Sequence, residues 1–151
     1  MHGDDDQALQ RCLIVDDNER FLAVAQASLE RQGLAVVGTA KTIIEALAQV
    51  EVLRPDVILL DIALGQESGF EVTRQIVDRH PDLQARIVLI STGREDDFTD
   101  LITASAAVGF LSKTRLSARA VRELASGGNR KVPSTADNIV VGLLPTQPTA
   151  I

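Results

Sequence analysis

Apolar residues recur along this chain in two alternating rhythms. Continuous runs of four, Cys12-Leu13-Ile14-Val15, Val57-Ile58-Leu59-Leu60 and Ile87-Val88-Leu89-Ile90, have the length and composition of strands buried on both faces. Ala35-Val36-Val37-Gly38 and Gly109-Phe110-Leu111-Ser112, with fewer apolar residues in a row, are candidates for short strands. Between these runs the apolar positions fall three and four apart, which predicts helices. Asp17 or Asn18 can cap a first helix with Phe21, Leu22, Ala25 and Leu29 on one face, ending at Gly33. Ile43, Leu47 and Val50, with Ile44, form the stripe of a second, which must stop before Pro55. Ser68 can cap a third, with Glu71 at the reciprocal position, Val72, Ile76 and Val77 buried, and His80-Pro81 as its end. A weaker helix covers about 96–106, and Leu116, Ala120 and Leu124 define the last.

Five strands alternating with five helices predict an α/β fold: a parallel sheet with right-handed crossovers and helices on both faces, three layers in all. The flavodoxin-like, doubly wound (βα)5 order 2-1-3-4-5 makes strands 1 and 3 neighbours at the switch point, where ligands gather outside the carboxyl ends of the strands. The domain covers 11–125. Residues 1–10 are an acidic extension. From Ser126 onward the pattern breaks, and Pro133, Pro145 and Pro148 among Thr, Ser, Asn and Gln read as an irregular tail. That tail is too short for a helix-turn-helix output domain, although Ile139-Val140-Val141-Gly142-Leu143-Leu144 is apolar enough to dock on a sheet edge or partner.

Composition narrows the partners. With 15 basic against 21 acidic residues the net charge is −6, and four Phe with no Trp or Tyr leave few rings for base stacking, so direct nucleic-acid binding is not expected. The single cysteine, Cys12, lies inside a strand and reads as a small buried hydrophobe. No apolar run approaches the roughly 20 residues that span a bilayer, and the N-terminus is acidic where a leader would be basic, so a cytoplasmic location is expected.

The chemistry sits at the strand ends. Asp16 and Asp17 close the first run, Asp61 the third, Ser91 the fourth, and Lys113 follows the fifth. Like charges about 4 Å apart repel by roughly 4 kcal/mol at an effective dielectric near 20. Such an edge therefore calls for a cation, and Mg²⁺, a hard ion that takes oxygen ligands and water, is the natural one. Acids, a hydroxyl and one ammonium suit a phosphoryl group carried on a carboxylate, with Asp61 as nucleophile, Lys113 neutralising charge and Ser91 donating a hydrogen bond. Helix capping needs only one acid, so the Asp16-Asp17 pair favours a metal site. His80, a rival phosphoacceptor, stands at a helix end beside Pro81, away from the acids.

Through Leu13-Ile14-Val15-Asp16-Asp17, Leu59-Leu60-Asp61, Leu89-Ile90-Ser91-Thr92 and Gly109-Phe110-Leu111-Ser112-Lys113, the chain resembles the receiver domain of two-component response regulators over about 11–125. The resemblance implies phosphorylation of Asp61 by a histidine kinase or histidine phosphotransfer protein. It implies Mg²⁺ held directly by Asp17 and Asp61, through water by Asp16, and by the backbone carbonyl of Ala63. Ser91 and Phe110 are then switch residues, and Thr92 flanks the phosphoryl group. Phosphorylation adds about −1.5 to −2 charge and biases a face of helix 4, strand 5 and helix 5 toward a downstream protein target. Dimerisation on activation is compatible with this. The expected role is a stand-alone signalling switch rather than a turnover enzyme.

Three positions depart from the family pattern. Gly65 stands where a proline is usual, which predicts a looser loop; Thr114 stands where a proline often follows the lysine; and Thr92 with apolar Ala63 is expected to hinder attacking water and prolong the phosphorylated state. A phosphorylation-independent interaction module on the same scaffold would typically lack one of the acids or the lysine. A haloacid-dehalogenase-like phosphatase would need an acid at the position of Ala63, and a flavodoxin a Ser/Thr/Gly-rich loop at Asp16-Asp17.

Overall fold

The computed structural model describes residues 10–82, 86–93 and 98–127. The acidic N-terminal residues 1–9, the expected start of the fourth helix near Asp96, and the tail beyond Gly127 lie outside them. Strands β1 (Arg11–Val15), β2 (Ala35–Ala40), β3 (Val57–Asp61), β6 (Arg86–Ser91) and β7 (Gly109–Ser112) form one sheet in the order β2-β1-β3-β6-β7, all neighbours parallel. This is the predicted 2-1-3-4-5 order. The extra numbers belong to a two-stranded hairpin of β4 (Ala63–Leu64) and β5 (Glu67–Ser68), directly after Asp61.

Because successive strand residues face opposite sides, each run feeds two cores. Leu13, Val15, Ile58, Leu60, Ile87 and Leu89 pack with Ala46 and Val50 of α2 (Ile43–Leu53), Val72 and Ile76 of α3 (Gly69–Arg79) and Ile102 of α4 (Thr99–Ala104). Cys12, Ile14, Val57, Leu59, Val88 and Ile90 pack with Leu22, Ala25 and Leu29 of α1 (Glu19–Arg31) and Ala118, Val121 and Ala125 of α5 (Ala118–Gly127). The three expected layers follow. Burial pushes the Cys12 thiol up to about 12, so it serves as a small hydrophobe.

Several details differ from the sequence reading. Ile44 is 77% exposed, because the inward stripe of α2 is completed by Ala46 and Val50 and a residue two positions from Ala46 points away. Val77 is 40% exposed, and the Thr73 side chain takes the buried place, its hydroxyl donating to the Gly69 carbonyl at 2.8 Å. In α5 the central buried line is Ala118, Val121 and Ala125; Leu116 precedes the helix, and Leu124 only flanks the core. Ser68 caps α3 by accepting the Phe70 N–H, but Glu71 turns along the helix to Arg74 and Gln75 instead of back to the cap. Helix α4 is short.

Candidate functional site

Asp16, Asp17, Asp61, Ser91, Thr92 and Lys113 lie at or just past the carboxyl ends of strands, and the parallel sheet puts those ends on one edge; Ala63 opens the hairpin after β3, and Phe110 lies inside β7. Asp16 follows β1 and its backbone N–H donates to the Ala40 carbonyl at 2.9 Å, so the residue is locked to the sheet. Asp61 is the last residue of β3, adjacent in register to Ile90 of β6. Ser91 ends β6 opposite Ser112, and Lys113 opens a short 3-10 turn after β7.

Asp16, Asp17 and Asp61 each offer a carboxylate oxygen, and these three oxygens lie within 4.8 Å of one another. Asp16 is completely buried, Asp61 nearly so, and Asp17 exposed. Asp16 Oδ1 accepts the Asn18 N–H at 2.9 Å, and Asp61 Oδ1 accepts the Ala63 N–H at 3.1 Å. Lys113 Nζ stands 2.6 Å from Asp16 Oδ2 and 3.4 Å from Asp61 Oδ2. Apart from that ion pair, buried Asp16 Oδ2 finds no hydrogen-bond donor among the described residues. Three acids at this spacing repel by about 3 kcal/mol per pair at an effective dielectric near 20, and one ammonium cannot neutralise them. An all-oxygen set with one solvent-facing member and more negative charge than its one ammonium offsets fits a hard, partly hydrated divalent cation.

The imbalance shifts protonation. Burial, reinforced by the Asp16 charge, raises the Asp61 carboxyl to about 6, although the Ala63 N–H and the Lys113 ammonium pull it down. Burial works against the Lys113 ammonium, but its hydrogen bond to Asp16 and the charges of both acids outweigh this and leave its pKa raised. An acid whose pKa in the fold exceeds its unfolded value destabilises the fold wherever it is ionised. The metal-free protein should therefore gain about 1–3 kcal/mol as pH falls from above 6 toward 4.5. Exposed Glu19 and Glu71, held below the ordinary range by Lys41 and Arg74, act only below that window. Differential scanning calorimetry at pH 7.5 and 5 checks this, and a melting temperature that falls between those values would contradict it. Saturating Mg²⁺ should remove the gain, because the cation needs the carboxylate ionised.

Ser91 is buried and its Oγ accepts the Gly93 N–H at 2.9 Å, with its own proton unengaged among the described residues; Thr92 is exposed beside it. Phe110 is buried in the core beneath α2, α3 and α4, with its ring centroid 6.5 Å from that of Phe98. Ala63 contributes the N–H already described. His80 caps the C-terminus of α3, the end remote from Asp61.

Two neighbours of the site, Gly69 and Phe21, carry no signal for their place in the sequence pattern, and a third, Gly65, takes a role other than the one expected. Gly65, at φ +61°, makes the turn of the β4–β5 hairpin, and a Cβ there would lie 3.8 Å from Asp17 Oδ2. Where the sequence predicts a loosened loop, the chain pairs Ala63 with Ser68 and Leu64 with Glu67. Gly69 begins α3 against Asp61, and its backbone N–H donates to Ile62 O at 2.6 Å. The pattern shows only a poor helix former directly after a good cap, which does not place it at the site. Phe21, which its spacing marks only as part of an apolar stripe, lies under the Lys113 ammonium, 4.4 Å from Nζ to ring centroid.

Residues 12–124 match the family model of the response regulator receiver domain. Among curated relatives, the response regulator GacA of Pseudomonas viridiflava is 32% identical over 104 residues, covering 68% of this chain and 48% of that protein. The DNA-binding transcriptional activator DevR/DosR of Mycobacterium tuberculosis is 34% identical over 124 residues, covering 78% and 55% respectively. The chain thus spans about half the length of these relatives. A crystal structure of a response regulator protein from Burkholderia pseudomallei, with a phosphorylated aspartic acid, calcium ion and citrate, superposes with a TM-score of 0.65 at 26% identity, over 78% of this chain and 69% of that one.

Proposed function

The chain belongs to the response regulator receiver family, and from that premise we propose that Asp61 accepts a phosphoryl group from the phosphohistidine of a histidine kinase or histidine phosphotransfer protein. The observation that carries this is the meeting of three carboxylates with the Lys113 ammonium, 3.4 Å from Asp61 Oδ2, at one sheet edge. The similar Burkholderia structure contains a phosphorylated aspartic acid and a calcium ion, which supports an aspartic acid as phosphoacceptor in this fold.

A carboxylate oxygen of Asp61 attacks phosphorus, a P–O bond forms, and the N–P bond to the donor imidazole breaks, its nitrogen keeping the electron pair; a proton on the ring's other nitrogen lets the imidazole leave neutral. When bound, Mg²⁺ supplies positive charge to the phosphoryl oxygens, and Asp17, Asp61 and the Ala63 carbonyl would hold it, with Asp16 reached through water. Lys113 contributes the fixed protein cation at the same oxygens, and burial of Asp61 limits access of competing water. Thr92, beside Ser91, flanks the phosphoryl group and restricts water's approach to it.

The product carries about −1.5 to −2 charge where a carboxylate stood. Ser91 donates its free hydroxyl proton to a phosphoryl oxygen, and Phe110 repacks as Ser91 moves, changing the face of α4, β7 and α5 that docks a downstream protein. The acidic balance of the chain, net −6, makes a protein rather than nucleic acid the direct output partner, and the reaction belongs in the cytoplasm with the kinase. Asp61 is modified and restored, so the chain acts as a switch and not as a turnover enzyme.

Beryllofluoride, an analogue of an acyl-bound phosphoryl group, provides the test. With Mg²⁺ it should bind saturably and shift amide NMR signals at Ser91 and around Phe110, and Asp61→Asn should abolish this. Absence of binding to the wild-type chain, or binding that survives Asp61→Asn, would overturn the reading in favour of a phosphorylation-independent interaction module.

A further inference from the structure

We infer that Phe21 is a positioning residue for the Lys113 ammonium, the cation that meets the phosphoryl group in the reaction proposed above, on which this inference rests. Among the described residues, Lys113 Nζ meets Asp16 Oδ2 at 2.6 Å, Asp61 Oδ2 at 3.4 Å and the Phe21 ring centroid at 4.4 Å. Both carboxylates change during the reaction, since a divalent cation competes for their oxygens and Asp61 gains a phosphoryl group. The ring does not change. Its quadrupole attracts a cation, yet it cannot be protonated, metallated or phosphorylated. The Lys113 side chain is only 12% exposed, so the ring face replaces water that the ammonium has lost.

The ring is itself tied to the site. The Phe21 N–H donates to Asn18 Oδ1 at 3.0 Å, and the Asn18 N–H donates to Asp16 Oδ1 at 2.9 Å. One carboxylate of Asp16 thereby holds the ammonium by one oxygen and, by the other, the turn that carries its aromatic platform. Phe21 also packs, partly buried, against the core between the sheet and helices α1 and α5. Leucine could fill that apolar role, so a requirement for the ring's charge distribution separates positioning from packing.

The full chain, labelled by acetyl phosphate in saturating Mg²⁺, should be compared with Phe21→Leu, Phe21→Tyr and a chain carrying 3,4,5-trifluorophenylalanine at position 21, which keeps the shape and removes most of the quadrupole. Leucine and the fluorinated ring should each slow labelling of Asp61 by about 2- to 30-fold, and tyrosine should stay within about twofold of wild type. Mg²⁺ affinity by calorimetry and the urea midpoint should stay near wild type. In the metal-free chain, the Lys113 ε-methylene protons should lose their upfield ring-current shift in Phe21→Leu. Equal labelling rates for leucine, fluorinated ring and wild type, or unmoved Lys113 protons, would overturn the inference while leaving phosphoryl acceptance intact. A wild-type chain that is not labelled at all would sink both.

Discussion

Gly69→Ala is expected to cost about 3 kcal/mol or more of stability and to lower the melting temperature by about 10 °C. A Cβ at this position would stand 2.4 Å from the Asp61 carbonyl oxygen and 2.8 Å from the Ile62 Cα. These are backbone atoms, so no side-chain rotation relieves the overlap. Helix α3 must move away, breaking the 2.6 Å hydrogen bond from Gly69 N–H to Ile62 O, or the end of β3 must move and carry Asp61 with it. The sign is diagnostic. Alanine inside a helix is ordinarily more stable than glycine by about 0.5–1 kcal/mol, so a loss here reports the close approach and not helix propensity. Urea denaturation of the two chains measures it, and a variant as stable as the wild type would show that the helix start is not pressed against the phosphoacceptor's backbone.

Lys113→Met should lower stability by about 3 kcal/mol without metal and reduce acetyl phosphate labelling of Asp61 by about 100-fold. Asp16 is completely buried and, among the described residues, the Lys113 ammonium is the charge partner of its Oδ2, at 2.6 Å. Methionine keeps much of the stem's volume and removes the charge, leaving three acids with no neutralising group among them. Millimolar Mg²⁺ should stabilise this variant more than the wild type, because the ion relieves a larger repulsion. Adding Asp16→Asn should recover much of the stability, since the buried charge goes with its partner, but not the labelling rate, since nothing replaces the ammonium at the phosphoryl oxygens. Urea melts with and without Mg²⁺, alongside labelling, separate the two roles. A single variant that melts and reacts like the wild type would remove Lys113 from the site.

Much of this architecture is written in local pattern. Buried parallel strands must be apolar on both faces, so Val57-Ile58-Leu59-Leu60 could hardly be anything else, and Asp61 at its end marked the sheet edge. Asn18, Gly33 and His80 take the helix-end roles that their backbone chemistry predicts. The errors share a cause. Ile44, Val77 and Leu116 were placed by apolarity alone, but which face of a helix is covered depends on the neighbour that packs against it. Thr73, a polar residue, is buried because its hydroxyl finds the Gly69 carbonyl, a partner that spacing alone does not reveal.

By itself, then, the sequence determined the alternation of strands and helices and the identity of the groups at the strand ends, because burial on two faces and the period of each element constrain residue type locally; the strand order followed from the doubly wound topology that this alternation implies. Tertiary structure alone decided which oxygens of Asp16, Asp17 and Asp61 converge, that Lys113 lies closer to Asp16 than to Asp61, that Gly69 must lack a side chain, and that Phe21 lies beneath the ammonium. Those relations join segments tens of residues apart, and their strength depends on distance and desolvation, quantities that exist only once the sheet has brought its strand ends together.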